Sequence, residues 1–349
     1  MSQSISTAPS PSVTSSSGVA AISQQALSAL QQRFLHSEDN ADLPIVDAHM
    51  HFWDPQHNYH PWLCDLPRIP FRYGDYSAIC QPYLPADYQR QQGQHRVVGS
   101  IYMEAEWDPT DPLGEARWIS ELHQRSGWPL AMIGQAWLDR DDCAGQLAGL
   151  AAWPLVRGVR HKPRTLAQQD YRPDHRLPGS MQCERWQRGY ALLQEYNLLC
   201  ELQCPWWHLP DAVPLLQRYP GVTLVINHTG VPGDRSPATL TGWQQAMSQL
   251  AAFPQVSVKI SGLGLPQQPW RLEDNQWLIR QTIELFGAER CLFASNFPVD
   301  GLVTSLDALF GHFKQATADL PAAERLALFC TNALRLYRVH LPDATAAPG

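Results

Sequence analysis

Two histidines one residue apart, His49 and His51, close the stretch PIVDAHMH at Pro44–His51. On a strand, side chains two apart share a face, so both imidazoles look the same way, with Asp47 below them. Such a pair can hold a metal ion or act as two polar hands on one substrate atom. Comparable groups recur at the ends of other short β-rich runs: Glu104 in YMEAEWDP, Arg160 and His161 in GVRHKP, Glu201 and Gln203 in LLCELQC. His228 follows in VINHTG, Lys259 and Ser261 in VKISG, and Asn296 with Asp300 in FASNFPVD. A carboxylate at such a place can move a proton, an imidazole can polarise a carbonyl, and a guanidinium or ammonium can hold a carboxylate or hydroxyls. Each also has a plain structural reading. Lys259 could pair with Glu201 or Glu104 inside the fold, and Arg160 could bridge loops. Only 17% of the residues are charged, yet nearly every run ends on a polar or ionisable group, which points to one shared mouth.

The elements that position these groups alternate. Eight β-rich runs begin near residues 44, 96, 130, 155, 198, 222, 256 and 291, separated by amphipathic segments such as LGEARWISELHQRSG and CERWQRGYALLQEYN. Strand alternating with helix implies parallel pairing through right-handed crossovers. Eight such units in this length predict an α/β fold, a closed (β/α)8 TIM barrel, whose chemistry sits where the strands end. The long aromatic loop from Phe52 to Pro82 reads as a lid or substrate wall, and PAAERLALFCTNALRLYRV as a closing helix.

The chain of 349 residues divides into a Ser/Pro-rich segment over 1–40, expected to be disordered apart from a short helix at Ala21–Leu35, and a barrel domain over 41–340. A formal net charge of −7 without any Lys/Arg run excludes nucleic acid as a partner and leaves small molecules. No signal peptide or membrane-spanning stretch is readable, so a cytoplasmic protein without membrane association is expected. The eight scattered cysteines read as free thiols, and the assembly is left open, a homodimer included.

The ordered series DAHMHFWDP, YMEAEWDP, GVRHKP, LQCPWW, INHTGVP, VKISGLG and FASNFPVD resembles the amidohydrolase-related (amidohydrolase 2) family over about Leu43 to Tyr337. It is similar above all to its sugar-lactone hydrolase and pyrone-dicarboxylate lactonase branch. The resemblance implies a TIM-barrel hydrolase in which His49, His51 and His228 bind a divalent metal such as zinc, or polarise the substrate carbonyl with no cofactor. Where the family carries a strand-eight aspartate as base or ligand, this chain has Asn296. An amide accepts no proton at neutral pH, which weakens the case for a tightly held metal and leaves Glu104, or Asp300 folding back, to act as base.

The expected reaction is opening of a lactone, the cyclic ester of a sugar acid or an aromatic breakdown product, by carbonyl polarisation and water attack. His49, His51, Glu104, His228, Asn296 and Asp300 form the expected catalytic set; Arg160, His161, Gln203 and Lys259 the substrate-binding set. Metal-dependent amide hydrolysis, non-oxidative decarboxylation, lactone isomerisation and a non-catalytic ligand-binding barrel are the alternatives. The absence of a G-x-S-x-G elbow disfavours a serine esterase.

Overall fold

Short runs buried on both faces are what a parallel sheet wrapped in helices requires. The first strand is buried at all seven of its positions. The computed structural model describes residues 22–343. In chain order the elements begin with α1 (Gln24–Ser37), β1 (Pro44–Met50), α2 (Pro61–Cys64), α3 (Pro85–Gln91), β2 (Arg96–Met103), α4 (Gly114–Ser126) and β3 (Ala131–Gln135). They continue with α5 (Cys143–Ala151), β4 (Val156–Arg160), α6 (Glu184–Glu195), β5 (Leu199–Leu202), α7 (Val213–Arg218) and β6 (Leu224–Ile226). The last are α8 (Pro237–Ala251), β7 (Val256–Ile260), α9 (Leu272–Phe286), β8 (Cys291–Phe293), α10 (Leu306–Ala316), α11 (Ala322–Leu326) and α12 (Asn332–Leu336).

All eight predicted runs are strands, paired in parallel in the order β1 to β8. The ring closes just beyond β8. Asn296 N–H donates to His49 O and His51 N–H to Phe297 O, both over 2.7 Å. Asp47, beneath the histidines, clamps this seam. Its Oδ1 accepts from Ser295 N–H at 2.8 Å and its Oδ2 from the Tyr88 hydroxyl at 2.7 Å and the Ser295 hydroxyl. The two residues that carry the first imidazoles are thus fastened directly to the tip of the eighth strand.

The predicted closing helix is present, α11 and α12 running into one another through a π-helical turn at Ala327–Thr331. The expected N-terminal helix is present as α1, its first turn capped by Ser23 Oγ accepting from Ala26 N–H. It is seated on the barrel, with Leu27 and Phe34 fully buried and Gln24 N–H donating to Pro342 O at 3.0 Å. The expected disorder of residues 1 to about 20 concerns a segment outside the described residues. No described helix is long and apolar enough to cross a membrane. All eight cysteines are free thiols.

Candidate active site

His49, His51 and His228 meet inside the strand-end mouth. The His49 ring centroid lies 5.1 Å from that of His51 and 4.7 Å from that of His228. His228 sits in a tight turn after β6 where His228, Thr229 and Val231 all have positive φ, 52°, 54° and 49°. For a β-branched valine that conformation is strained, and the surroundings must hold it. Trp243 does so in part, its Nε1–H donating to Thr229 O at 2.7 Å. Gly262, itself at φ +60°, completes the fit: a Cβ there would lie 2.6 Å from His228 Nδ1 and 3.0 Å from Arg72 Nη2.

The ring nitrogens are individually oriented. His51 Nδ1–H donates to Met103 O at 2.8 Å, which puts the lone pair of the neutral ring on Nε2, beside the Asn296 side chain. His228 Nδ1 lies 2.9 Å from Ser261 Oγ. Both nitrogens of the buried His49 lack a partner among the described residues. Burial, reinforced by nearby cations, holds all three imidazoles below their ordinary range: His49 beside Lys259, His228 beside Arg72, and His51, pulled down to about 3, beside Arg160. All three are neutral at physiological pH.

Around them runs a buried charge network. Arg160 donates from Nε to Glu104 Oε1 at 2.5 Å, from Nη2 to Glu104 O at 2.8 Å and from Nη1 to Gln203 Oε1 at 2.9 Å. Glu104 Oε2 accepts from Glu106 N–H at 2.8 Å. Burial alone would raise the Glu104 carboxyl, but Arg160 and Lys162 outweigh it and the group stays below its ordinary value. Lys259 is fully buried and lies 2.9 Å from Glu201 Oε1, which also accepts from the Tyr337 hydroxyl at 2.6 Å. Burial pulls the Lys259 ammonium down to about 8, with Glu201 resisting.

The mouth holds a cavity of about 280 Å³. His51, His228 and Asn296 contribute to it, with Arg160 and Gln203 from the neighbouring strand ends. The 52–82 loop supplies an apolar wall through Trp62 and Phe71, stacked at 5.8 Å and 13°, and a cation, Arg72. Asn296, at φ +57°, donates from Nδ2 to Asp300 Oδ1 at 2.7 Å. Asp300 Oδ1 also accepts from the Tyr73 hydroxyl at 3.1 Å and Arg72 Nη2 at 3.4 Å.

Several expected residues stand elsewhere than the sequence reading put them. His161 faces away from the mouth: strand alternation turns Arg160 in and His161 out, where its Nδ1 accepts from Leu138 N–H at 3.0 Å and its ring stacks on Trp186. Lys259 belongs to the barrel-interior pair with Glu201 and does not line the cavity. Asp300 lies behind the wall and touches the cavity only through Asn296 and Arg72. Glu104 is likewise absent from the lining. Sequence reasoning missed Arg72 and Tyr73 of the lid, whose only signal was the juxtaposition of basic and aromatic residues in PFRYGDY, and the Lys162–Glu106 pair at the mouth, which lies just past strand ends in GVRHKP and YMEAEWDP.

The three imidazoles do not fit a metal as they stand. Two are oriented as ligands would be, His51 through Met103 O and His228 beside Ser261 Oγ, while an amide stands at the strand-eight tip with its nitrogen turned to Asp300. What decides is distance: among the described residues the ring nitrogens of the three do not all lie within 4.8 Å of one another, as the ring nitrogens of His175 and His208 and a carboxylate oxygen of Asp211 do. That second cluster is a structural clamp. His208 Nε2 accepts from Leu166 N–H and His175 Nδ1 from Leu177 N–H, while both remaining N–H groups donate to Asp211 Oδ2.

Residues 46–339 match the family model described as amidohydrolase. Among individual proteins, the chain is 34% identical over 301 residues to the uncharacterized protein y4mH of Sinorhizobium fredii, covering 86% of this chain and all of that one. It is 28% identical over 313 residues to the L-fucono-1,5-lactonase of Burkholderia ambifaria, covering 85% and 97%. A crystal structure of an amidohydrolase from Burkholderia multivorans with bound zinc is similar at a TM-score of 0.70 and 25% identity, covering 85% of this chain and 99% of that one.

Proposed function

The chain belongs to the amidohydrolase family, and within it we propose that this hydrolase opens a lactone by water attack on the acyl carbon, with buried imidazoles taking the proton and polarising the carbonyl. The observation that carries the reading is the His51 ring. Its Nδ1–H is fixed on Met103 O, so the neutral ring carries its lone pair on Nε2 at the cavity, with the Asn296 side chain beside it. A carbonyl oxygen beside His228 would receive Nε2–H when the Ser261 hydroxyl donates to Nδ1, with the charge of Arg160 close by.

In the first step a water oxygen bonds to the acyl carbon while one of its protons passes to His51 Nε2. An imidazole held this low is a weak base in the resting site. The negative charge developing on the carbonyl oxygen raises its proton affinity as the bond forms. In the second step the acyl–oxygen bond of the ring breaks and the imidazolium returns that proton to the leaving oxygen. The product is a hydroxy acid that ionises. Asn296, its Nδ2 spent on Asp300, presents its amide oxygen beside the His51 ring, where it can accept from the attacking water and orient it.

Glu104 is not the base in this scheme, because both its oxygens are engaged and Arg160 stabilises its charge. The relationship to L-fucono-1,5-lactonase supports the ester bond as the target. The test is a panel of aldonic and aldaric lactones, with acid release followed by a pH indicator, for the wild type and His51→Gln. Turnover that falls on the order of 10²–10⁴-fold in the variant is expected. Absence of acid release from every lactone would overturn the reading.

A further inference from the structure

The cavity's cations are not equally occupied. Arg160 makes three short contacts, to Glu104 and Gln203, and Lys162 is neutralised at the rim by Glu106. Arg72 is different. Its two polar contacts among the described residues, to Gly262 O and Asp300 Oδ1, are both 3.4 Å, at the outer edge of a hydrogen bond. A guanidinium has five N–H donors in a rigid fork, so most of Arg72's capacity is unspent. Its one anionic neighbour shares the same oxygen with Asn296 and Tyr73. Arg72 also stands next to the reacting groups: a Cβ on Gly262 would touch both its Nη2 and the His228 ring.

We infer, resting on the lactonase reading, that the substrate is a lactone bearing a second, ionised carboxylate, and that Arg72 is the residue that reads it. The fork accepts both oxygens of a carboxylate, and the Trp62–Phe71 wall covers one face of the ring. A neutral polyhydroxy lactone would instead call for many uncharged hydrogen-bonding side chains. The lining offers two side-chain amides, Gln203 and Asn296, each already tied to a neighbour. At about 280 Å³ the cavity suits a compact molecule. Asp300 is the positioning residue, holding Arg72 and Tyr73 of the lid against the tip of β8.

The experiment compares a matched pair of five-membered lactones, aldaric and aldonic, identical except for a carboxylate in place of a hydroxymethyl group. The wild type is expected to favour the aldaric member by roughly tenfold or more in kcat/KM, through KM. Arg72→Met should bring the ratio toward one, and Arg72→Lys, which keeps the charge but loses the fork, should restore only part of it. Equal use of the two lactones by the wild type, or a ratio unmoved in Arg72→Met, overturns the assignment. If no lactone is turned over, the lactonase reading fails separately. Calorimetric titration with the ring-opened aldarate and aldonate then decides the anion site. Tighter aldarate binding lost in Arg72→Met supports it, and equal binding refutes it.

Discussion

Asn296 Nδ2 and Asp300 Oδ1 are 2.7 Å apart, the amide donating and the carboxylate accepting, which ties the segment just past β8 to the short helical turn at Val299–Leu302. The bond turns the amide oxygen away from Asp300. It also commits the carboxylate to a shell of donors that includes the lid's Tyr73 and Arg72. Burial raises the Asp300 carboxyl, while Arg72 and these hydrogen bonds favour its ionised form.

Replacing Asp300 with Ala removes one acceptor from three donors at a fully buried point. The expected loss is about 2–4 kcal/mol in urea unfolding, the range for stranding buried hydrogen-bonding groups. Protease cleavage within the 52–82 loop should become faster at the same time. A change below about 0.5 kcal/mol, the size of an ordinary surface substitution, would show that the lid is held by its apolar contacts alone.

Glu104→Gln separates two roles for a carboxylate beside the barrel mouth. A general base replaced by its amide should lose roughly 10²–10⁴-fold in kcat. As the fixed partner of Arg160, Glu104 should instead cost stability, about 3–5 kcal/mol, because the buried guanidinium loses its counter-charge. Turnover per folded molecule is expected to fall by less than about tenfold, the smaller effect of a group that positions and does not transfer the proton. Denaturant titration and active-fraction kinetics on the same sample check both.

Glu115 on α4 gives the pH dependence a sign. Burial, and then the charge of Glu104, push its carboxyl up to about 8 from an ordinary 4.5. Between those values the folded chain keeps a proton that the unfolded chain has released, so this group's contribution to stability falls as pH rises from about 4.5 to 8. Glu115→Gln keeps the shape without the titration. Melting temperatures measured from pH 5 to 8 should decline less in the variant than in the wild type; parallel declines would place the pH dependence elsewhere.

The barrel was legible because strands covered on both faces are short β-rich runs, and their helices carry a 3.6-residue apolar period between them. The eight run positions and the three imidazoles needed no more than that. Lys259 was ambiguous because an inward-pointing lysine looks the same in sequence whether it meets substrate or Glu201, and only the depth of the layer decides. His161 follows Arg160 directly, and the two-residue alternation that holds to the end of β4 turns it outward, where Leu138 N–H donates to its Nδ1. Arg72 and Tyr73 were hidden for a different reason. Lid loops have no period, and their contact with Asp300 spans more than 220 positions of chain. The π-turn inside the last helix leaves no mark on the apolar pattern either.

The most direct test of acyl attack is hydrolysis of a turned-over lactone in ¹⁸O-enriched water, with the product fragmented by mass spectrometry. Attack on the acyl carbon, with His51 taking the proton, is expected to put one label into the new carboxylate and none into the released hydroxyl. Label in the hydroxyl, or product formed without any label, would contradict it.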